Sequence, residues 1–303
     1  MSSKVIVVGS LNMDLVVSVD NLPKEGETLL AQRVSEVPGG KGGNQAAAVG
    51  KLQTPVAMIG KLGSDAYAEG LLESLRLSGV HTGPIMISEG RTGLALITVD
   101  RAGHNQIVVI PGANNDLTPG DIESQKHIIE QGELVVLQLE VPLETVEHTL
   151  RLAKELGKTT VLNPAPARKL SDEILQLVDY LIPNEHELLS MTGVDISDHS
   201  GVRDAAKQFI DKGVQAVIVT LGDKGCCYVG RDSIKQYPAC KVEAKDTTAA
   251  GDSFIGGFVA GLLEMQDVDA AIKQAIKVSA LTVMKHGAQE SLPTLEEVER
   301  FGK

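Results

Sequence analysis

Asp246-Thr247-Thr248-Ala249-Ala250-Gly251-Asp252 sets small residues and two acids directly before an apolar run, Ser253-Phe254-Ile255-Gly256-Gly257-Phe258-Val259-Ala260-Gly261-Leu262-Leu263. The run reads as a buried helix. Small residues at a helix start leave its first N–H groups bare, and those groups with the helix dipole make an anion site. Asp252 puts a carboxylate at the same point. An acid where an anion should bind suits proton chemistry: the bare N–H groups hold a transferring phosphoryl group, and Asp252 takes the proton from the attacking hydroxyl. The stretch is equally compatible with an ordinary helix start, capped by Thr247 or Thr248, at which Asp252 favours the dipole.

Other polar residues could meet a ligand. Asn12 and Asp14 follow the apolar run Lys4–Gly9. Two apart, they can turn both side chains to one side and grip sugar hydroxyls, or they can serve Asx-turn chemistry. Pro38-Gly39-Gly40-Lys41-Gly42-Gly43-Asn44-Gln45 is a glycine-rich turn opening an Ala-rich helix from Ala46 to Leu52. Its glycines allow close backbone approach to a ligand, and Lys41 and Asn44 add polar groups. It matches neither the Walker A loop nor the dinucleotide fingerprint. Asn12, Asp14, Glu140, Asn163, Asn184, Glu187, Thr220 and Gly222 all stand at the ends of strand-like runs. Gathered on one edge of a sheet, they would make an active-site rim.

The elements that must position these groups alternate. Strands are expected at Lys4–Gly9, Val56–Gly60, Glu133–Leu139, Thr159–Leu162, Tyr180–Ile182 and Ala216–Thr220. Helices are expected at Ala66–Ser78, Glu144–Leu156, Val202–Lys212, 249–264 and 269–285. Such alternation predicts an α/β fold: a doubly wound, mainly parallel sheet flanked by helices, over a single domain from 1 to 303. Two β-rich insertions interrupt it, at approximately 14–37 and 94–110, and predict a small β-sheet lid.

The 303 residues are 43% hydrophobic and 22% charged, an ordinary globular composition, and the formal net charge of -12 is unfavourable for nucleic acid or an anionic membrane surface. No apolar run reaches the ~20 residues of a membrane span. The start has no signal-peptide layout. Cys226, Cys227 and Cys240 form an odd, sparse set that suits a reducing cytoplasm and offers no metal spacing. Cys226 and Cys227 are expected on opposite faces of a strand, as unbridged structural thiols.

Taken together, Gly39–Ala46, Asp246–Phe254, Asn184-Glu185-His186-Glu187, Val219-Thr220-Leu221-Gly222, Asn163-Pro164-Ala165-Pro166 and His286-Gly287-Ala288-Gln289 resemble the ribokinase branch of the PfkB carbohydrate kinase family over essentially the whole chain. The resemblance implies ATP-dependent phosphorylation of D-ribose at O5. It implies that Asn12, Met13, Asp14, the Gly39-Gly40-Lys41-Gly42-Gly43-Asn44 loop and Glu140 hold the sugar, with Asp252 as general base and the backbone N–H groups from Ala249 through Ala250 and Gly251 to Asp252 as the anion hole. Asn184, Thr220, Leu221, Gly222, Asp223, Lys224 and Gly225, with Gly251 and Asp252, would line the nucleotide site. Glu187 would organise magnesium through water. Asp246 and Thr248, carbonyls near Thr282, Lys285 and Gly287, and the Ser291 hydroxyl would bind an activating monovalent cation, potassium by preference. The lid implies a homodimer, which would also cover exposed strand edges. Three positions depart from the family pattern: Ile276 where a polar residue near adenine is expected, Gly43 where alanine is common, and Ile255 where asparagine is common.

Competing readings are a kinase of 2-deoxyribose, a nucleoside or another sugar; a non-catalytic sugar or nucleotide sensor on the same fold; and a dinucleotide-dependent dehydrogenase. The missing fingerprint after the first strand opposes the last. The presence of Asp252, Asn184, Glu187 and the full glycine turn opposes the sensor. ADP release with and without ribose discriminates among them.

Overall fold

A computed structural model describes residues 3–196 and 198–302. In chain order the elements are β1 (Val5–Val8), β2 (Asn12–Ser18), β3 (Arg33–Gly39), α1 (Lys41–Lys51), β4 (Val56–Gly63), α2 (Ala66–Leu77), β5 (Val80–His81), β6 (Ile85–Ser88), β7 (Gly93–Val99) and β8 (Asn105–Ile110). Then come α3 (Pro119–Ser124), α4 (Lys126–Gln131), β9 (Leu134–Leu137), α5 (Leu143–Glu155), β10 (Thr159–Leu162), α6 (Asp172–Leu175), β11 (Tyr180–Leu181) and α7 (Glu185–Thr192). The chain closes with α8 (His199–Asp211), β12 (Ala216–Thr220), β13 (Cys226–Gly230), β14 (Ile234–Tyr237), α9 (Ala250–Met265), α10 (Val268–Val283) and α11 (Leu295–Arg300).

Among the described residues the main sheet has ten strands in the order β14-β13-β12-β11-β10-β9-β1-β4-β5, with β6 also on β4. It is parallel from β12 to β5, and the β13–β14 hairpin extends it antiparallel. β1 lies between β4 and β9. The chain therefore winds outward in both directions from β1, and the crevice beyond its C-terminal end is the ligand position of a doubly wound sheet.

Burial follows the two-residue period of a strand covered on both faces. Val5 and Val7 of β1 with Leu134 and Val136 of β9 pack into one core, against α1, α9 and α10. Ile6, Val8, Val135 and Leu137 pack into the other, against α5 and α8. Each such side chain contributes roughly 1.5–3 kcal/mol of burial. Cys226 and Cys227 fall in the two different cores and are unbridged, and burial pushes the Cys226 thiol up to about 12.

A second sheet, β3-β2-β7-β8, stands apart from the first. β2 pairs antiparallel with β3 and parallel with β7, and β7 pairs antiparallel with β8. It reaches two residues deeper than expected, starting at Asn12 and ending at Gly39, so both ends adjoin the crevice. Residues 29–32, expected in the strand, are irregular and exposed.

The first helix also differs. α1 starts at Lys41 rather than Ala46. Glycine is a poor helix former, which placed these residues in a turn. Close packing overrides that preference: a Cβ at Gly42 would lie 2.7 Å from the Ser10 backbone nitrogen. α1 and α9 are similarly close, since a Cβ at Gly256 would lie 2.4 Å from the Ala48 Cβ. One turn earlier on each helix stand Asn44 and Asp252, so the Gly256–Ala48 contact sets their separation.

Candidate active site

α9 begins behind Ala249, whose φ of 59° is left-handed. For alanine this costs about 1–2 kcal/mol. Asp246 holds the loop. Its Oδ1 accepts hydrogen bonds from the Thr248 N–H (2.9 Å) and hydroxyl (2.6 Å), and its Oδ2 accepts one from the Gly287 N–H (2.9 Å). Among the described residues no side chain caps α9, so the alternative of a Thr247 or Thr248 cap is removed. The Ala250 N–H donates to the Thr247 carbonyl at 3.2 Å, whereas among the described residues no acceptor engages the N–H groups of Ala249, Gly251 and Asp252. Bare N–H groups at the start of a sixteen-residue helix form the anion-binding end that the sequence suggests.

Asp252 is 8% exposed and receives two amide donors from the first turn of α1: Asn44 Nδ2 at 3.0 Å and Gln45 Nε2 at 2.9 Å. Gln45 Nε2 also donates to Asn163 Oδ1 (3.3 Å), and Gln138 Nε2 donates to Gln45 Oε1 (2.7 Å). Asn163 Nδ2 reaches the Ile182 carbonyl at 3.0 Å. The ends of β9, β10 and β11 are thereby tied to α1 and Asp252.

Beside this network Ser10 Oγ donates to Glu140 Oε2 (2.6 Å), which also accepts the Lys41 N–H (3.2 Å). Asn12 lies on β2, not in an Asx turn, and its Oδ1 accepts from Asn114 Nδ2 at 2.7 Å. Strand alternation keeps Asn12 and Asp14 on one side and sends the Met13 side chain into the core, so of Met13, expected among the sugar-holding residues, only the backbone runs between Asn12 and Asp14. Gly39 makes room for Asp14, because a Cβ there would lie 2.3 Å from Asp14 Oδ2. Gly40 has a φ of 83°, and its Cβ would meet the Asn12 nitrogen at 2.7 Å. Gly43 is less constrained: an added Cβ would lie 3.2 Å from Gln289 Nε2 and from Leu11 Cδ2. Among the described residues, Asp14 Oδ1 and Asn44 Oδ1 find no hydrogen-bond partner although both are buried. Two such acceptors beside one crevice suit a ligand that brings hydroxyl donors.

The charges are coupled. Burial raises the Asp14 carboxyl from 3.8 to about 7, helped by Glu140 and Asp252 and opposed by Lys41. Burial also raises Asp252, against Lys41 and its two amide donors. Burial alone would lower the Lys41 ammonium, but Asp252, Glu140, Glu187 and Asp14 together hold it above its usual value. One cation thus balances four acids, and an added polyanion would find Lys41 and bare N–H groups as its attractors.

A cleft of about 210 Å³ opens from Lys41 and Asp252 toward Asn184, Glu187 and Thr220. Asn184 and Glu187 form a capping box at α7: Glu187 Oε2 accepts the Asn184 N–H (2.8 Å), Oε1 accepts from Nδ2 (3.0 Å), and Asn184 Oδ1 accepts the Glu187 N–H (2.8 Å). Burial raises the Glu187 carboxyl. Of the expected nucleotide segment, Thr220 reaches the cleft wall. Leu221 is buried, and Gly222–Lys224 turn outward, Lys224 pairing with Glu185 at 3.3 Å. Gly225 allows the β13 entry, since a Cβ there would lie 1.9 Å from the Tyr237 carbonyl oxygen. Ile255 lines the cleft, whereas Ile276 lies in the core.

The residues expected around a monovalent cation meet in part. Lys245 and Asp246 N–H groups both reach the Val283 carbonyl, so the loop before α9 packs on the end of α10. The Thr282 carbonyl accepts the Lys285 N–H at 3.1 Å. The Lys285 ammonium pairs with Glu297, and the buried Ser291 hydroxyl donates to the Ala288 carbonyl. Among the described residues no cluster of three or more His, Cys, Asp or Glu side chains could ligate a metal directly, and no helix is long and apolar enough to cross a membrane.

Sequence reasoning missed Gln45, Gln138 and Asn114 as partners of the site. Gln45 was visible inside the glycine-rich motif and Gln138 beside Glu140, and a polar residue closing a buried strand was the available signal. Asn114 comes from a 3-10 turn after the lid, and nothing local marks it.

Residues 2–295 match the family described as pfkB family carbohydrate kinase. The ribokinase of Staphylococcus aureus is 42% identical over 301 residues, which cover 98% of this chain and 99% of the relative. The deoxyribokinase of Salmonella typhi is 39% identical, with 98% of each chain covered. The structure of Arabidopsis thaliana ribokinase complexed with ribose and ATP superposes with a TM-score of 0.92 at 30% identity, covering 99% of this chain and 98% of the other.

Proposed function

The chain belongs to the pfkB family of carbohydrate kinases, and from that premise we propose that it transfers the γ-phosphoryl group of ATP to O5 of D-ribose. The observation that carries the proposal is Asp252: one buried carboxylate stands at bare helix N–H groups, between unpartnered sugar-side acceptors and an open cleft. Asp14, Asn12, Asn44, Glu140 and the backbone at Gly39–Gly43 hold the sugar hydroxyls. Asp252 accepts the O5 proton as the oxygen attacks phosphorus. The open N–H groups of Ala249, Gly251 and Asp252 take up charge on the phosphoryl oxygens, and Lys41 offsets the remainder. The nucleotide lies toward Asn184, Thr220 and the turn 221–225.

Magnesium neutralises phosphate charge in such a reaction. The donor set fits: two buried carboxylates, Glu187 and Asp252, line the cleft, and among the described residues no third acid joins them as a direct ligand cluster, which suits a hydrated ion shared with the phosphates. A monovalent cation would be held by Asp246, whose carboxyl its hydrogen bonds keep below the usual value despite burial, with nearby carbonyls and the Ser291 oxygen. It would add positive potential beside the anion site. The exposed apolar residues Val34, Leu96 and Ile107–Ile110 support a homodimer through the lid sheet. A cytoplasmic location and a single domain complete this reading.

A second reading, 2-deoxyribose as preferred acceptor, is favoured by the 39% identity to a deoxyribokinase. ADP release from ATP and magnesium, with D-ribose or 2-deoxyribose in potassium or sodium, tests both. Ribose-dependent ADP raised by potassium is the expected result. A deoxyribose preference would transfer the assignment to the second reading, and no sugar-dependent ADP would overturn both.

A further inference from the structure

Gln45 is fully buried and cannot touch a sugar or nucleotide. Its amide nitrogen nevertheless lies 2.9 Å from Asp252 Oδ1, and its amide oxygen is 2.7 Å from Gln138 Nε2. An ionised carboxylate only accepts hydrogen bonds, so the Gln45 nitrogen must face Asp252. The Gln45 oxygen then needs a donor, and in a dry interior Gln138 supplies it. Gln138 is itself fully buried at the end of β9. Without it, the Gln45 amide could turn over and present its oxygen to the carboxylate.

We propose that Gln45 is a positioning residue for the general base, that Gln138 locks its amide, and that this two-glutamine relay keeps Asp252 ionised and aimed at the acceptor hydroxyl. The inference rests on the phosphoryl-transfer reading. Geometry separates Gln45 from Asn44, the other donor. Asn44 lies toward the sugar and keeps an unpartnered Oδ1, whereas both ends of the Gln45 amide are engaged within the protein. The charged groups around Asp252 are Lys41 from α1, Asp14 from β2, Glu140 after β9 and Glu187 from α7. None of them is altered by changing Gln45 or Gln138 to methionine, a side chain of similar length without polar atoms.

The test is the pH profile of kcat for the wild type, Gln45→Met and Gln138→Met. It is paired with carboxyl carbon NMR of Asp252, which needs no turnover. A base works only when deprotonated, so losing a donor to its ionised form raises its pKa and moves the acid limb upward. In Gln45→Met both the acid limb and the NMR midpoint should rise by about one pH unit, the roughly tenfold effect of one charge-assisted hydrogen bond. The KM for ribose should change by no more than about threefold, since ground-state binding is left in place. Gln138→Met should shift both in the same direction by a smaller amount, and it carries the test if Gln45→Met does not fold. An unmoved midpoint in a folded variant overturns the proposal. So does a kcat loss matched by an equal rise in KM with the acid limb in place, which would mean that Gln45 only shapes the sugar loop. A wild type without ribose-dependent ADP refutes the functional reading alone, because the NMR comparison still decides the relay.

Discussion

Adding one methyl group at Gly256 should separate Asp252 from its donors without touching the crevice. The new Cβ would meet the Ala48 Cβ at 2.4 Å and the backbone of Ala48 and Val49 at 3.2 Å. Ordinary carbon contacts begin near 3.5 Å, so α1 and α9 must part by about 1 Å at this level. One turn away, the bonds from Asn44 (3.0 Å) and Gln45 (2.9 Å) to Asp252 would stretch past hydrogen-bonding range. Overpacking of this kind costs about 1–3 kcal/mol, or roughly 2–8 °C in Tm for a chain of this size. A displacement near 1 Å at the base should lower kcat by roughly 100-fold. Gly257→Ala is the control. Its Cβ would crowd α10 instead, at 3.0 Å from the Ala275 Cα, so it should lower Tm comparably and leave kcat within about threefold. Sugar-dependent ADP release and thermal melts on both variants suffice. Full kcat in Gly256→Ala, or equal kcat loss in both, would refute the view that this contact sets the position of Asp252.

Asp14→Asn should separate stability from binding. The folded carboxyl, raised to about 7 from 3.8, holds its proton more tightly than the unfolded one, so the folded state loses stability as pH rises through that window. Asp14→Asn should therefore flatten the loss in melts between about pH 4 and 7, as it raises the ribose KM at least about tenfold through a lost charge-assisted acceptor. Glu187→Gln keeps a capping partner for Asn184 but removes charge. It should leave Tm nearly unchanged and raise the magnesium needed for half-maximal rate by about tenfold, within the range for lost outer-shell contacts. Equal magnesium titrations would remove Glu187 from that role. Gly39→Ala places a Cβ 2.3 Å from Asp14 Oδ2, and ribose KM should rise with little change in the ATP KM.

Much of this was legible in the chain. Asp252 before an apolar run marked the helix, and its anion end was one of two readings the stretch allowed, the other being a start capped by Thr247 or Thr248, which α9 does not use. Alternating runs gave the parallel sheet, and the insertions around Leu15–Val37 and Leu94–Ile110 gave the second sheet. The start of α1 at Lys41 was hidden, since local preference treats Gly42 and Gly43 as turn residues and only contact with Ser10 makes them helical. The Asn184–Glu187 capping box was visible in spacing but was read only for ligands, Asn184 for the nucleotide and Glu187 for magnesium. The relay from Gln138 through Gln45 to Asp252 joins residues 93 and 207 positions apart, and no local pattern carries it. Cys226 and Cys227 were expected on a strand, which is β13, whereas its partner β14 escaped for a plainer reason: Ile234–Tyr237 is a short, mostly exposed edge strand with little apolar signal.

The central claim is that Asp252 is the base for phosphoryl transfer to a sugar. The measurement that tests it most directly is kcat for ribose-dependent ADP formation in folded Asp252→Ala protein beside the wild type. A loss of at least about 100-fold, with the melt of the wild type retained, is the expected result. Turnover near the wild-type rate would contradict it.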